Sequence, residues 1–507
     1  MDALNLTQWI IVIMGWMAGV VMLILCVMFV QDVTQKKHTV RRNYPIIGRM
    51  RYFLERQGEY FRQYFFAHDR EEQPFNRATR NWVYRTAKNI GGTVGFGSTK
   101  DLREPGSVIF VNSPYPLLEE EREETAPLII GPQCDQPFSA RQIVNISGMS
   151  YGALSAPAVR ALSLGAAKSG IWLNTGEGGL SPYHLEGGGD LIFQIGTAKY
   201  GVRDHNGKLS EAKLFEVAQQ VKAFEIKLAQ GAKPGRGGVL PGVKVSEEVA
   251  HIRGIPIHQT SSSPNRHPEI RNNDDLLDMI NRVRDVTGKP VGIKTVFGNE
   301  AQIESLCNTI LRRGVAQAPD FITIDGGDGG TGAAPQILAD HVGLPLSESL
   351  PMLVDGLIKS GLRERIRVIA SGRLVTSARV GWALCVGADF TVTGRGFMFA
   401  LGCIQSLQCH NDTCPTGVTT HNKNLQKGLD VTDKAQRVAN YACWINLEVA
   451  RLAHSCGLAD PRQFRRHHAR IVQRAGYSVA LDHIYPYPKA HKSSSEKSTS
   501  NKVLDET

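Results

Sequence analysis

The run Phe321-Ile-Thr-Ile-Asp325-Gly-Gly-Asp-Gly-Gly-Thr-Gly332 decides the fold. Four residues of strand-forming character run into an acid, and the chain then opens into glycine. The same form recurs. Short apolar runs lie at 142–147, 171–175, 224–229, 255–260, 291–296, 321–325, 367–370 and 390–393, alternating with helical stretches and recurring mostly at roughly 30–50 residues from the start of one run to the start of the next. Alternating strands and helices of this number predict a parallel sheet closed as a (β/α)8 TIM barrel. An open doubly wound sheet is the alternative, but no G-x-G-x-x-G opens a first helix.

The turn after each run is as informative as the run itself. Seven of the eight end in polar or glycine-rich turns: Ser147-Gly-Met-Ser, Asn174-Thr-Gly-Glu-Gly-Gly, Lys227-Leu-Ala-Gln-Gly-Ala-Lys-Pro-Gly, Lys294-Thr-Val, the Asp325 turn, Ser371-Gly-Arg and Thr393-Gly-Arg-Gly. In a barrel these ends form the active-site face, and glycine there lets backbone approach a ligand. The candidate cofactor contacts are therefore Ser147, Gly148, Met149, Asn174, Lys227, Lys294, Gly326, Gly327, Gly329, Gly330, Gly372, Arg373, Gly394 and Arg395. The last four follow strands seven and eight, where barrels commonly hold phosphate.

A second signal lies beyond the last strand. Cys403, Cys409 and Cys414 stand at C-x5-C-x4-C with Pro415 after the last. Soft thiolates followed by proline read as iron–sulfur ligands. A zinc loop is the competing reading, but zinc usually takes four ligands, and His410 adjoins Cys409 too closely to serve easily. An electron-carrying cluster needs a redox partner, and a phosphorylated flavin suits the glycine-rich face.

The 507 residues allow one large domain with appendages, and 42% hydrophobic residues suffice for a core. The net charge of +10 is concentrated at 36–62 and 462–474. That pattern suits a membrane surface, and no nucleic-acid motif accompanies it. The remaining cysteines, 26, 134, 307, 385, 443 and 456, are scattered and do not form a secreted disulfide framework.

Residues 9–30 are uncharged and almost wholly apolar. Such a segment spans about 33 Å as a helix, enough for a bilayer core. No basic region precedes it and no small-residue cleavage site follows, so a signal peptide is disfavoured. Lys36, Lys37, Arg41 and Arg42 then predict a single-pass anchor in the inner (cytoplasmic) membrane, with the bulk of the chain in the cytoplasm. Residues 43–90 mix aromatic and basic side chains, as amphipathic helices do at a membrane surface or against a domain. The acidic run 119–124 reads as a solvated face, and the Ser/Lys/Glu-rich tail 489–507 as disordered. The expected plan is an anchor at 1–32, a basic and aromatic helical region at 33–130, the barrel with its cysteine loop at 131–486, and a tail at 487–507.

From about Pro132 to about Gln426 the chain resembles the FMN-binding synthase domain of glutamate synthases. The resemblance rests on Ser147-Gly-Met-Ser-Tyr-Gly-Ala-Leu-Ser155, Asn174-Thr-Gly-Glu-Gly-Gly179, Ile226-Lys-Leu-Ala-Gln-Gly-Ala-Lys-Pro-Gly235, Leu240-Pro-Gly242, Gly326-Gly-Asp-Gly-Gly-Thr-Gly332 and the cysteine run. With its anchor, the chain looks like a short membrane-anchored bacterial branch. The resemblance implies FMN beside a 3Fe-4S cluster on Cys403, Cys409 and Cys414. It implies condensation of 2-oxoglutarate with ammonia to 2-iminoglutarate, then hydride transfer to give L-glutamate. By the same resemblance Lys227 and Lys233 lie near flavin and keto acid, Gln230 and Arg253 contact substrate, and Glu177 handles protons. A lysine beside the flavin would stabilise reduced-flavin charge, and arginine offers a two-donor fork for carboxylate.

Several features depart from the family pattern. Arg236 and Val239 replace an acid and a glutamine after Lys-Pro-Gly, and 261–267 differs from the usual turn. No amidotransferase domain or NAD(P)-binding unit is recognisable. Free ammonia, an amine or a partner is thus expected to supply nitrogen. The expected electron source is an external donor: a ferredoxin, a reductase subunit or a quinone-linked carrier. Two classes remain open: a glutamate-forming enzyme, or one acting on a related keto acid or amine such as N-alkylglutamate synthesis; and a membrane-bound flavin/iron–sulfur electron-transfer subunit.

Overall fold

The computed structural model describes residues 3–93 and 95–488, so the expected disordered tail at 489–507 lies outside the described residues. The chain divides into two compact units, Met1–Arg80 and Asn81–Thr507.

The first unit opens with helix α1, Ala3–Thr34. Its segment Thr7–Thr34 contains an 18-residue stretch of mean hydropathy 2.8 and is long and apolar enough to cross a membrane. Two further helices follow, α2 at Thr39–Asn43 and α3 at Gly48–Phe61, the latter running on as a π-helical turn, Arg62–Phe66. A single buried acid ties these together. Asp32, near the end of α1, accepts hydrogen bonds from Arg41 Nε at 2.9 Å, Arg49 Nε at 2.7 Å and the Ile46 amide at 3.0 Å.

The second unit is a closed barrel of eight parallel strands. They are β1 Val144–Ile146, β2 Leu173–Asn174, β3 Leu191–Ile195, β4 Ala223–Lys227, β5 Val291–Thr295, β6 Phe321–Asp325, β7 Arg367–Ser371 and β8 Phe390–Thr393. β8 pairs with β1 to close the ring. Nearly every strand residue is buried, because helices cover the outside and side chains fill the inside.

Seven strands stand where the apolar runs predict them. The eighth does not. Residues 255–260 form a turn after the helix Glu247–Arg253, and β3 at Leu191–Ile195 takes its place. Only residues 175–190 separate β2 from β3, with the one-turn helix Pro182–Leu185 as crossover. A spacing rule built on full helical crossovers passes over so short a connection.

One end of the barrel is plugged. A hairpin of Leu128–Ile130 and Phe138–Ala140 packs Ile130, Phe138 and Ala140 against Trp172, Ala223, Phe321 and Phe390, which lie at or just before the starts of their strands. Phe138, Trp172 and Phe390 meet edge to face, with ring centroids 5.9 and 5.0 Å apart. The opposite, C-terminal end carries the polar turns.

Candidate active site

Beneath the C-terminal mouth lies a buried carboxylate, Glu225 on β4. It accepts from Asn174 Nδ2 at 2.9 Å, Gln194 Nε2 at 2.6 Å and Thr323 Oγ1 at 2.6 Å. Four strands are thereby locked in register under the site. Asn174 Oδ1 in turn accepts the Gly176 amide at 3.0 Å and fixes the turn leading to Glu177.

Above this layer the predicted residues converge. Lys227 Nζ, at the end of β4, donates to Glu177 Oε1 at 2.8 Å and to Gln230 Oε1 at 2.9 Å. Gln230 Nε2 donates to the Gly330 carbonyl at 2.7 Å, joining the turn after β4 to the turn after β6. Lys294 is the register partner of Lys227, and its Nζ lies 3.6 Å from Asp325 Oδ2. Asp325 also accepts the Gly231 amide at 2.9 Å and the Ser371 hydroxyl at 2.7 Å. Glu177, Gln230, Lys227 and Lys294 therefore form one connected mouth.

Electrostatics bind Lys233 and Arg253 to the same group. Burial opposes the Glu177 charge, yet Lys227, Lys233 and Arg253 together hold its carboxyl down at about 2. Lys233 is driven down to about 8, first by burial and then by the like charge of Lys227. Arg253 is 6% exposed, and burial lowers its pKa. Its Nη2 donates to the Tyr151 carbonyl at 3.2 Å, its guanidinium lies over the Tyr200 ring at 5.2 Å, and its Nε has no hydrogen-bond partner. Such a guanidinium keeps a donor available for an anion.

The glycines serve in part a different purpose from the one expected. Many let the turns approach one another. A Cβ on Gly231 would lie 1.9 Å from the Gly326 carbonyl, and one on Gly238 would lie 2.6 Å from Glu177 Oε1. Gly330 is pressed against Arg395 and Gly327 against the Gly343 carbonyl. After β7 and β8, Arg373 Nε and Arg395 Nη2 both reach the Asp328 carbonyl, at 3.3 and 2.9 Å. Burial and the Arg373 charge lower Arg395 to about 10, so it stays a cation at neutral pH. Ser147, Gly148 and Met149 line the turn after β1, with Gly394 of the turn after β8 close by, 3.8 Å from the Met149 sulfur at its would-be Cβ.

The cysteine loop sits on this same end. Lys244 Nζ donates to the Cys409 carbonyl at 3.3 Å and to the Ala153 carbonyl at 2.8 Å, and His421 contacts the Gly152 carbonyl at 2.9 Å. Tyr84 donates to the Cys403 carbonyl at 2.7 Å. All three cysteines are thiols rather than disulfides. Their chemistry suits an iron–sulfur group, but among the described residues no three His, Cys, Asp or Glu side chains form a metal-holding set.

Sequence reasoning missed several contributors. Gln194, Glu225 and Thr323 are interior strand positions that read as ordinary sheet residues. His267 is buried beneath Lys227, its Nε2 lying 3.1 Å from the Lys227 carbonyl, while its Nδ1 has no partner. Burial, aided by Lys199, drops its pKa to about 4, so it is neutral. Tyr200 comes from the turn after the unpredicted β3. Gly196 at the end of β3 was a usable signal: a Cβ there would lie 2.6 Å from the Glu177 Cβ, and it makes the eighth polar strand end.

Residues 97–459 match the conserved region in glutamate synthase. The chain belongs to this family. It is an oxidoreductase of glutamate synthase type. It is 42% identical to the glutamate synthase large subunit-like protein YerD of Bacillus subtilis (strain 168), over 90% of this chain and 94% of that one. It is 34% identical to the archaeal glutamate synthase [NADPH] of Methanocaldococcus jannaschii over 65% of this chain, a match that spans 61% of that protein. Among solved structures it is similar to a soluble mutant of the membrane-associated (S)-mandelate dehydrogenase from Pseudomonas putida, with a TM-score of 0.48, 12% identity, and coverage of 77% of this chain and 98% of that one.

Proposed function

We propose that this synthase-family enzyme reductively aminates 2-oxoglutarate, through 2-iminoglutarate, to L-glutamate, using ammonia or an amine and electrons from an external donor. The observation that carries the reading is the convergence of Lys227, Lys233, Arg253, Gln230 and Glu177 at the barrel mouth. Three buried cations around one carboxylate leave net positive charge, which suits a dicarboxylate substrate. A barrel serving only electron transfer has no physical use for this set.

Arg253 would bind one substrate carboxylate through its unpartnered Nε. Lys233 would neutralise the other. Glu177, held ionised beside Lys227, would handle protons by accepting a hydrogen bond from the nitrogen as the imine forms, and loss of its neighbouring cations to the bound substrate would raise its depressed pKa toward a working value. Gln230 would hold the Lys227 ammonium in place from the opposite side. FMN, when bound, supplies the two-electron chemistry. Ser147, Gly148, Met149 and Asn174, Lys227 and Lys294, Gly326, Gly327, Gly329 and Gly330, and Gly372, Arg373, Gly394 and Arg395 would hold it, the two arginines suiting its phosphate. Cys403, Cys409 and Cys414 would carry a 3Fe-4S cluster, whose assembly would draw the three thiolates together. α1 would anchor the enzyme in the inner membrane with the barrel in the cytoplasm.

The decisive experiment is anaerobic. The purified enzyme is reduced with dithionite until the flavin bleaches, and 2-oxoglutarate with ammonium is added. Flavin reoxidation with glutamate formation is expected. Reoxidation by neither ammonium nor alkylamines would remove the glutamate reading. Acid release of FMN, and an oxidised-state EPR signal of a three-iron cluster lost in Cys409→Ser, test the two cofactors separately.

A further inference from the structure

We propose that α3 is a second membrane-contacting element, lying in the headgroup region of an anionic bilayer. At about 100° per residue, Ile47, Met50, Phe53, Leu54 and Phe61 share one helical face. That face is solvent-exposed: Ile47 is 78%, Met50 60%, Phe53 57%, Leu54 55% and Phe61 47% exposed. Phe65 and Phe66 continue the apolar surface beyond Phe61, the Phe61 and Phe65 rings standing 5.8 Å apart. The half-buried Gln57 is the one polar side chain within this arc, and large apolar side chains exposed together on one face mark an interaction site.

Charge placement selects the partner. Arg49 and Arg56 flank the apolar face on one side and Arg51 and Arg62 on the other, while Glu55 and Glu59 lie opposite. Arginines bordering an apolar stripe, with acids turned away, match a bilayer interface: the stripe enters the acyl boundary and the guanidiniums reach lipid phosphates. A protein groove would match this pattern only with acids along both rims, whereas an anionic bilayer presents phosphate on every side.

The position of α3 agrees with that partner. The Asp32 clamp fixes the first turn of α3 at the end of α1, the helix of membrane-spanning length. Arg49 extends the clamp by donating to Gln31 Oε1 at 3.1 Å. The bend between α2 and α3 is held by close backbone packing: a Cβ on Gly48 would lie 2.7 Å from the Val40 carbonyl. α3 is thus presented where a spanning α1 would leave the bilayer. An anchored α1 and an interfacial α3 would share one membrane, but the α3 face stands on its own residues.

The test uses the full chain in vesicles of phosphatidylcholine with or without phosphatidylglycerol. A benzophenone-bearing amino acid is placed in turn at positions 54, 61, 55, 59 and 20. Positions 54 and 61 are expected to photocrosslink to lipid several-fold more than 55 and 59, more strongly when phosphatidylglycerol is present. The combined change Arg51→Gln, Arg56→Gln and Arg62→Gln is expected to erase that lipid preference. Crosslinks from 54 and 61 into protein, or lipid adducts no greater than at 55, would overturn the proposal. Position 20 keeps the two readings apart: lipid adducts at 20 alone sink the α3 proposal, and adducts at 54 and 61 alone sink the anchor.

Discussion

At the barrel mouth, Glu177, Lys227, Lys233 and Arg253 keep their charges away from water, each set beside the others by strands locked from below. On α3, Arg51, Arg56 and Arg62 stand in solvent around an apolar face, and only Arg49 is drawn into an ion pair with the buried Asp32. The difference shows what burial does to charge. Inside, one missing partner leaves an uncompensated ion, so geometry and protonation are tightly coupled. Outside, solvent screens each charge, and only the pattern of the face carries information. Mutations at the mouth should therefore act steeply, and those on α3 shallowly.

The steepest break is Lys227→Met. It removes the cation that pairs with Glu177 and anchors Gln230, stranding both. A loss of about 100- to 1000-fold in turnover is expected, the size seen when one preorganised charge donor is deleted. Stopped-flow reoxidation of the reduced enzyme measures it. A tenfold loss or less would mean that Lys227 is a structural counterion.

Next is Gly231→Ala, which tests the packing beneath the charges. The added methyl meets the Gly326 carbonyl, so the turns after β4 and β6 must part. Overpacking of this kind costs about 1–3 kcal/mol. Thermal unfolding should fall by several degrees while Met50→Ala, on the exposed face of α3, leaves it unchanged.

Much of this was legible in the sequence. Seven strands announced themselves as apolar runs ending in polar turns, and Lys227, Gln230 and Lys233 lie on one such turn. β3 was hidden because its crossover is a single helical turn. The Glu225 layer was hidden because a polar residue inside a strand looks the same whether it faces a neighbour or solvent. Convergence was the least legible. Arg253 reaches Tyr200 and the Tyr151 carbonyl only after the barrel closes, and nothing in residues 200 or 151 signals that meeting. The cysteine spacing was plain, but spacing does not say whether three sulfurs converge.

Lys233 sharpens the comparison through pH. Its folded pKa of about 8 lies below the ordinary lysine value, so the folded state releases that proton earlier than the unfolded chain. Its charge therefore burdens the fold below about pH 8, and the burden lifts as pH rises toward the unfolded value. An anionic substrate favours the charged form. Affinity for 2-oxoglutarate should hold below about pH 8 and decline above it, with proton uptake on binding. Flavin-spectrum titrations across pH measure this. Lys233→Met should bind weakly and flatten the profile. Glu177 sets the opposite limit: its depressed pKa of about 2 contributes stability present above the ordinary carboxylate range and lost as pH falls toward 2.

The smallest effect is expected at Asp32→Asn. The carboxylate accepts from Arg41, Arg49 and the Ile46 amide, and an amide cannot reproduce all of these. The clamp should loosen without unfolding anything in the barrel, because every partner of Asp32 lies within the first unit. Hydrogen exchange should quicken across 39–61 and stay unchanged across the β strands, with turnover at the wild-type level. Ile46 sharpens the reading, since it is held at φ 66°, a left-handed conformation that a β-branched residue adopts only under constraint. Release of the clamp should let that turn relax first, so the Ile46 amide should show the earliest gain in exchange. If turnover fell together with exchange protection, charge in the first unit would be coupled to the barrel mouth, and the two regions would not be the independent cases contrasted above.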